Sequence, residues 1–323
     1  MGKMVYAVIA DIHGNYEALR AVVSDAETKG AEAYLLLGDY IRDTPHLNEV
    51  VEAIRSLPNC TAILGNGDKG VLALDETKPE RCELEQMYPN FWAYGNLSAQ
   101  SLDYLKSLRD SADITLSNGR TIHLSHNIGL IAHTPRLGAF HSGDYARKME
   151  SRPFSFEEGL QDMQAAAEAY AYEVAEYTGD ICLYGHNHLQ FLGEAGGKIL
   201  CNPGSCGMPL EYDTRAPYAI ISDECGEVNI TLHRVGYDIE KTITAIREFA
   251  NIPQLEIWGK MWIAMLKTGS DMVMSEFWRH AREIGNNKFP MENDVWRKVV
   301  AEYRFDPAWG VENDESNVHN SKR

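Results

Sequence analysis

The feature that most constrains this chain is a pattern repeated along its first part. A short apolar run is followed at once by residues able to carry charge or bind metal. Residues 4–10 lead into Asp11-Ile12-His13, residues 33–37 into Gly38-Asp39, and residues 61–64 into Gly65-Asn66-Gly67-Asp68. Residues 121–124 lead into Ser125-His126-Asn127, and residues 181–184 into Gly185-His186-Asn187-His188. Short apolar runs bounded in this way read as buried strands. Between the first two, Asn15 can cap a helix over 16–29, with Leu19, Val22 and Val23 on one face and Gly30 as the stop. Between the next two, Pro45 stands near the start of a helix running through Ile54. A β-α-β-α-β order implies parallel strands joined by right-handed crossovers. Ligands then collect beyond the carboxyl ends of the strands, where the motifs stand.

Further along, Ser98 or Ser101 opens a helix through Leu108, and Asn118-Gly119 marks a hairpin whose second arm delivers His126. Residues 70–97 read as irregular or helical. An insert over 128–180 separates His126 from the double-histidine motif. Its stretch 156–177 reads as one long helix, and the whole as a cap over the site or a surface excursion. Strands follow at 190–192, 198–201, 218–222 and 228–233, with the turn Asn202-Pro203-Gly204-Ser205 between the second and third. Residues 236–305 form a helical extension anchored by Trp258, Trp262, Phe277, Trp278 and Trp296, and a polar, disordered tail is expected over 306–323.

Asp and Glu number 47 against 30 Lys and Arg, a net charge of −17. That balance argues against a general nucleic-acid surface or an anionic membrane surface. It leaves room for a small phosphorylated substrate, because bound cations reverse the local field. No apolar stretch is long enough for a membrane span, and no signal peptide is evident. The scattered cysteines read as reduced, buried thiols, so a cytoplasmic location is expected.

The motifs contribute Asp11, His13, Asp39, Asn66, His126, His186 and His188: three oxygen donors and four imidazoles. A mixed set of this kind suits manganese, iron, zinc, cobalt or nickel, and not calcium. Seven residues exceed one ion's needs and divide over two if a carboxylate bridges. Two divalent ions, manganese first among the expectations, can hold a phosphate and share a hydroxide nucleophile. The catalytic set is placed at Asp39, Asn66, Asp68 and His126.

Asp11-x-His13, Gly38-Asp39, Gly65-Asn66-x-Asp68, Ser125-His126 and Gly185-His186-x-His188, in this order, resemble the calcineurin-like metallophosphoesterases. The turn Asn202-Pro203-Gly204-Ser205 resembles their small bacterial and archaeal phosphodiesterase branch. The resemblance covers about 4–235. It implies an α/β fold, a four-layer α/β/β/α sandwich of two mixed β-sheets. It further implies Asp11, His13 and His188 at one metal, Asn66, His126 and His186 at the other, and Asp39 as the bridge. Many members carry a histidine after the Asn of the third motif, thought to contact phosphate or protonate the leaving group. Here that position is Gly67, so weaker catalysis on esters with poor leaving groups is expected, with His133 or His141 of the insert as candidate substitutes. Asp68 is read as orienting a ligand histidine or capping a turn. Arg42 is read as a phosphate grip or an exposed arginine at a helix entry.

The leading expectation is a binuclear metal-dependent phosphoesterase acting on phosphodiesters or small phosphorylated metabolites. The rivals are a phosphatase of nucleotides, dinucleoside polyphosphates or phosphoproteins, and a metal-binding scaffold. The C-terminal helices could pack on the sandwich, shape the substrate entrance or support a homo-oligomer.

Overall fold

The computed structural model describes residues 4–75, 83–127, 161, 164–165, 167–169, 171–224 and 227–313. The first three apolar runs form β1 (Met4–Ile9), β2 (Ala33–Leu36) and β3 (Cys60–Ala62), all parallel. The third is shorter than the apolar run suggests. Beyond it, Ile63 bridges to Arg109, and the Leu64 N–H donates to the Arg109 carbonyl. Of two late strands, β9 (Ala216–Glu224) adds antiparallel to the free edge of β1, and β10 (Glu227–Val235) adds antiparallel to β9. The sheet order is β10-β9-β1-β2-β3.

The hairpin forms β4 (Ser111–Thr115) and β5 (Thr121–Ser125). They join β6 (Ile181–Leu183), β7 (Gln190–Ala195) and β8 (Lys198–Pro203) in a second sheet of order β4-β5-β6-β8-β7. Both sheets are mixed, as expected of the sandwich.

Strand alternation sets the layers. Val8, Leu35 and Ile221 of the first sheet meet Ile122, Leu124 and Ile181 of the second in one buried cluster. On the other face of the first sheet, Ala7, Ile9 and Leu36 pack on Leu19 and Val22 of α1 (Tyr16–Thr28), Val50 and Ile54 of α2 (Leu47–Ser56) and Leu105 of α5 (Ala99–Ser107). Asn15 caps α1, accepting from the Ala18 N–H at 3.2 Å.

Residues 70–97 resolve partly into helix: α3 (Asn66–Leu72) and α4 (Tyr88–Asn96). Of the long helix expected over 156–177, the described part is helical at 161, 164–165 and 167–169 and in α6 (Ala171–Ala175). Gln164 lies against the exposed edge of β7, donating to the Glu194 carbonyl at 2.7 Å and accepting from the Glu194 N–H at 3.2 Å. His133 and His141 lie outside the described residues.

The extension forms α7 (Ile239–Phe249), α8 (Glu256–Thr268), α9 (Met272–Ile284) and α10 (Asn293–Glu302). It packs on the sandwich. Trp262, Phe277 and Trp296 share a cluster with Met208 and Leu210 of the loop after β8, and Phe249 meets Trp92 of α4 edge-on at 4.5 Å. The expectation of a disordered tail from residue 306 is corrected for 306–313. Pro307–Trp309 form a 3-10 turn capped by Asp306, and the Asn313 side chain pairs with both backbone groups of Phe305 at 2.7 and 2.9 Å. Trp309 and Val311 pack on the helical cluster, which the charged character of the stretch conceals. Among the described residues no helix is long and apolar enough to cross a membrane.

Candidate metal centre

The motifs at the ends of β1, β2, β3, β5 and β6 meet at one edge of the sandwich. To turn inward directly after their strands, Asp11, His13, Asp39, His186 and His188 all adopt positive φ, between 51° and 73°. For side chains with a Cβ this backbone costs about 1–3 kcal/mol each and persists where surrounding structure enforces it. Backbone ties supply that enforcement. Asp11 N–H donates to the Gly38 carbonyl, His13 N–H to the Asp39 carbonyl, and Gly185 N–H to the His126 carbonyl. The chain at Gly38 and Gly65 runs so close that a Cβ on Gly65 would stand 2.1 Å from Asp39 Oδ1.

Within this edge, His13 Nε2 lies 3.1 Å from His188 Nε2. His126 Nε2 and His186 Nδ1 lie 2.9 and 2.7 Å from the side-chain oxygen of Asn66. Asp11 falls within reach of both groups, one with His13 and His188 and one with Asp39 and His126, with the ligand atoms of each inside 4.8 Å. All seven expected ligand residues therefore converge.

The far nitrogens show what the near ones are for. His188 Nδ1 sits 2.9 Å from the Met208 carbonyl, His126 Nδ1 2.7 Å from the Leu37 carbonyl, and His13 Nδ1 2.5 Å from Asp43 Oδ2. The two carbonyls accept the Nδ1 protons of His188 and His126, the Asp43 carboxylate pairs electrostatically with His13 Nδ1, and the Nε2 atoms are left facing the centre, the arrangement that orients metal-binding histidines. Lone pairs that face one another need a cation between them, so the donor set fits divalent metal.

Charge in the metal-free protein follows the same logic. Burial pushes the Asp11 carboxyl up to about 7, helped by neighbouring Asp39 and opposed by His126 and His13. Burial works the same way on Asp39, yet His126, His13 and Arg42 hold that carboxyl well below its usual range. The Asp39 carboxylate, 3.5 Å away, raises His126 to about 9 against its own burial. Burial, then His13, pushes His188 down to about 3, whereas Asp43 keeps His13 raised. A proton on His13 and another on His126 thus stand where cations would.

Of the two readings of Asp68, capping holds and orienting a histidine does not. Its carboxylate accepts the backbone N–H groups of Asp39, Tyr40 and Gly65 at 2.8, 2.9 and 3.0 Å, and so ties the β2 loop to the start of α3. The residue that holds a ligand histidine is Asp43, whose carboxyl stays at about 2 although buried because Arg42 and His13 flank it. Arg42 is not an exposed arginine at a helix entry. It sits at φ 112° in the bend before α2, with Nε and Nη2 on Asp43 at 3.0 and 3.3 Å.

The Asn202–Ser205 turn, flagged in sequence as a turn and by its resemblance to the phosphodiesterase branch, braces the site through hydrogen bonds. Asn202 donates to the Gly185 carbonyl at 3.0 Å and to Asn187 Oδ1 at 2.7 Å, and Ser205 Oγ to the Asp11 carbonyl at 2.8 Å. It thereby fixes the β1 loop against the β6 loop.

A profile of the calcineurin-like phosphoesterase superfamily domain matches residues 4–224. The chain belongs to the calcineurin-like phosphoesterase superfamily. Among its relatives, the uncharacterized protein MJ0912 of Methanocaldococcus jannaschii is 29% identical over 264 residues, covering 76% of this chain and 93% of that protein. Solved folds agree. A metallophosphoesterase from Sphaerobacter thermophilus superposes with a TM-score of 0.56 at 23% identity, over 82% of this chain and 99% of that one. The hypothetical protein PH1004 of Pyrococcus horikoshii gives 0.59 at 19% identity, over 79% and 97%. A calcineurin-like phosphoesterase domain with Asp and His clusters able to hold metal supports a metal-dependent phosphoester hydrolase. The C-terminal helices α7–α10 lie beyond the matched residues.

Proposed function

We propose that the protein is a binuclear metal-dependent phosphoesterase that hydrolyses phosphodiesters or small phosphorylated metabolites. One observation carries the reading: His13, His126 and His188 each turn the outer nitrogen to a fixed acceptor and the inner one to one of two adjacent points around Asp11 and Asp39. His13, His188 and Asp11 would hold one divalent ion, and Asn66, His126 and His186 the other, with Asp39 shared. Such ions supply Lewis-acid charge and lower the pKa of coordinated water to around 7. The chain's part is to hold that charge in place. Asp43, Leu37 and Met208 fix the ring orientations, and the Gly67 N–H, 2.6 Å from Asp39 Oδ1, fixes the shared carboxylate. Gly67 leaves the leaving-group oxygen without a proton donor from that position, which favours substrates with good leaving groups.

The test is turnover of a chromogenic phosphodiester and monoester by manganese-loaded protein, with Asp39→Asn as the paired variant. Turnover of at least one ester that disappears in Asp39→Asn, with the thermal melt unchanged, supports the reading. No turnover of either ester with two metals bound defeats it.

A further inference from the structure

Glu211 stands in the loop after β8 with an ionisable side chain that is only 1% exposed. Its Oε2 accepts from Arg234 Nη2 of β10, and its Oε1 accepts the backbone N–H of Gln190, the first residue of β7. Burying such an ion pair gives a fold little, because lost hydration offsets the attraction and apolar side chains of similar volume commonly serve as well. A reason beyond stability lies in what the carboxylate is tied to.

Gln190 comes two residues after His188, and Glu211 comes three residues after Met208, whose carbonyl lies 2.9 Å from His188 Nδ1. The two ties close a loop. From His188 the chain runs to the Gln190 N–H, crosses to Glu211, runs back to Met208 and returns from its carbonyl to the His188 ring. Both flanks of this loop are anchored. Met208 N–H donates to Ser205 Oγ at 2.9 Å, and the Gln190 side chain donates to the Tyr218 and His233 carbonyls at 3.2 and 2.9 Å. A second observation points the same way. His188 sits at φ 61°, a left-handed conformation that persists only where neighbouring bonds enforce it. The Glu211 tie to the N–H two residues on is one such bond.

We propose that Glu211 is the positioning residue of His188, an inference that rests on the metal-centre reading above. Its carboxylate holds the backbone after His188 on one side and the Met208 segment on the other. The ring is then left one orientation, with Nδ1 on the carbonyl and Nε2 towards His13. Arg234 compensates the buried charge and reaches neither His188 nor Met208 through this carboxylate except by way of Glu211.

Two double variants of the full-length protein separate positioning from stability. In both, Arg234→Met removes the charge that a neutral residue 211 would strand. Glu211→Gln with Arg234→Met keeps an acceptor for the Gln190 N–H, and Glu211→Leu with Arg234→Met does not. Manganese affinities are measured by competition with a fluorescent chelator, beside thermal melts of the metal-free proteins. The parent is expected to bind manganese in two steps, and the glutamine double variant to keep both affinities. In the leucine double variant one affinity falls about 10- to 100-fold, the worth of partners that orient ligand histidines, while the other holds. Nitrogen-15 spectra of the histidine rings in metal-free protein give a readout independent of metal. His188 is expected as the Nδ1–H tautomer in the parent and the glutamine double variant, and as a mixture in the leucine one. If the leucine double variant does not fold, Glu211→Gln alone takes its place, because Arg234 then competes with the Gln190 N–H for the one remaining oxygen. Parent affinities with a single tautomer in that variant overturn the assignment and leave the metal centre standing. Equal losses in the glutamine and leucine double variants overturn it as well, since the acceptor is then immaterial. A parent that binds no manganese overturns the metal-centre reading, and the tautomers alone then decide the role of Glu211.

Discussion

His13 and His188 aim their Nε2 atoms at each other across 3.1 Å, while their Nδ1 atoms are committed to Asp43 and to the Met208 carbonyl. Two imidazoles held in this way are stable only with a cation between them. In the metal-free protein Asp43 favours a proton on His13. In metal-loaded protein a divalent ion would take that place.

Asp43→Asn should therefore weaken metal binding without unfolding the chain. Partners that orient ligand histidines are worth about 10- to 100-fold in metal affinity. The expected result is a drop of that size in manganese affinity, measured by competition with a fluorescent chelator, and a thermal melt of the metal-free protein close to that of the parent.

Metal affinity should climb with pH well past neutrality. His126 is raised to about 9 in the metal-free protein and must be neutral to bind metal, so binding expels its proton at any pH below that value. As pH falls, the proton competes better and affinity drops, by about tenfold per unit for each proton released. Calorimetric titration in buffers of different ionisation enthalpy should show proton release at pH 7 that fades above pH 9.

Gly65→Ala should abolish the centre. The added methyl would stand 2.1 Å from Asp39 Oδ1 and 2.3 Å from the Asp39 nitrogen, and the backbone is too tightly tied there to yield. Near-complete loss of metal binding and activity is expected, with far-UV circular dichroism retained.

How far these relationships were legible in sequence depends on their range. The five motifs were legible because each couples an apolar strand to a polar end within a few residues, and the Asn15 cap because capping is local. Asp43 was not legible. It comes to His13 because the chain turns back at Arg42, and neither residue type signals that bend. The carbonyls of Leu37 and Met208 carry no side-chain signature at all. For Asp68 the sequence left two roles open, and its capping role was decided only by the fold, because its partners are backbone N–H groups, which every residue has.

Gly67→His should improve hydrolysis of esters with poor leaving groups. A Cβ at this position would lie 3.0 Å from Asp39 Oδ1, so it faces the centre and needs a shift of only a few tenths of an ångström. General-acid help contributes about 10²–10⁴-fold, and an unoptimised histidine should recover part of it. The expected outcome is about tenfold faster turnover of an alkyl diester, with little change for a 4-nitrophenyl diester.

The central claim is that two metal ions act together, and a stepwise metal titration addresses it most directly. Chelator-stripped protein is titrated with manganese while bound metal and phosphodiester hydrolysis are read in the same samples. The account predicts a low rate through the first equivalent and a steep rise with the second, ending at two ions per chain. Full activity at one equivalent, or no hydrolysis at two, would contradict it.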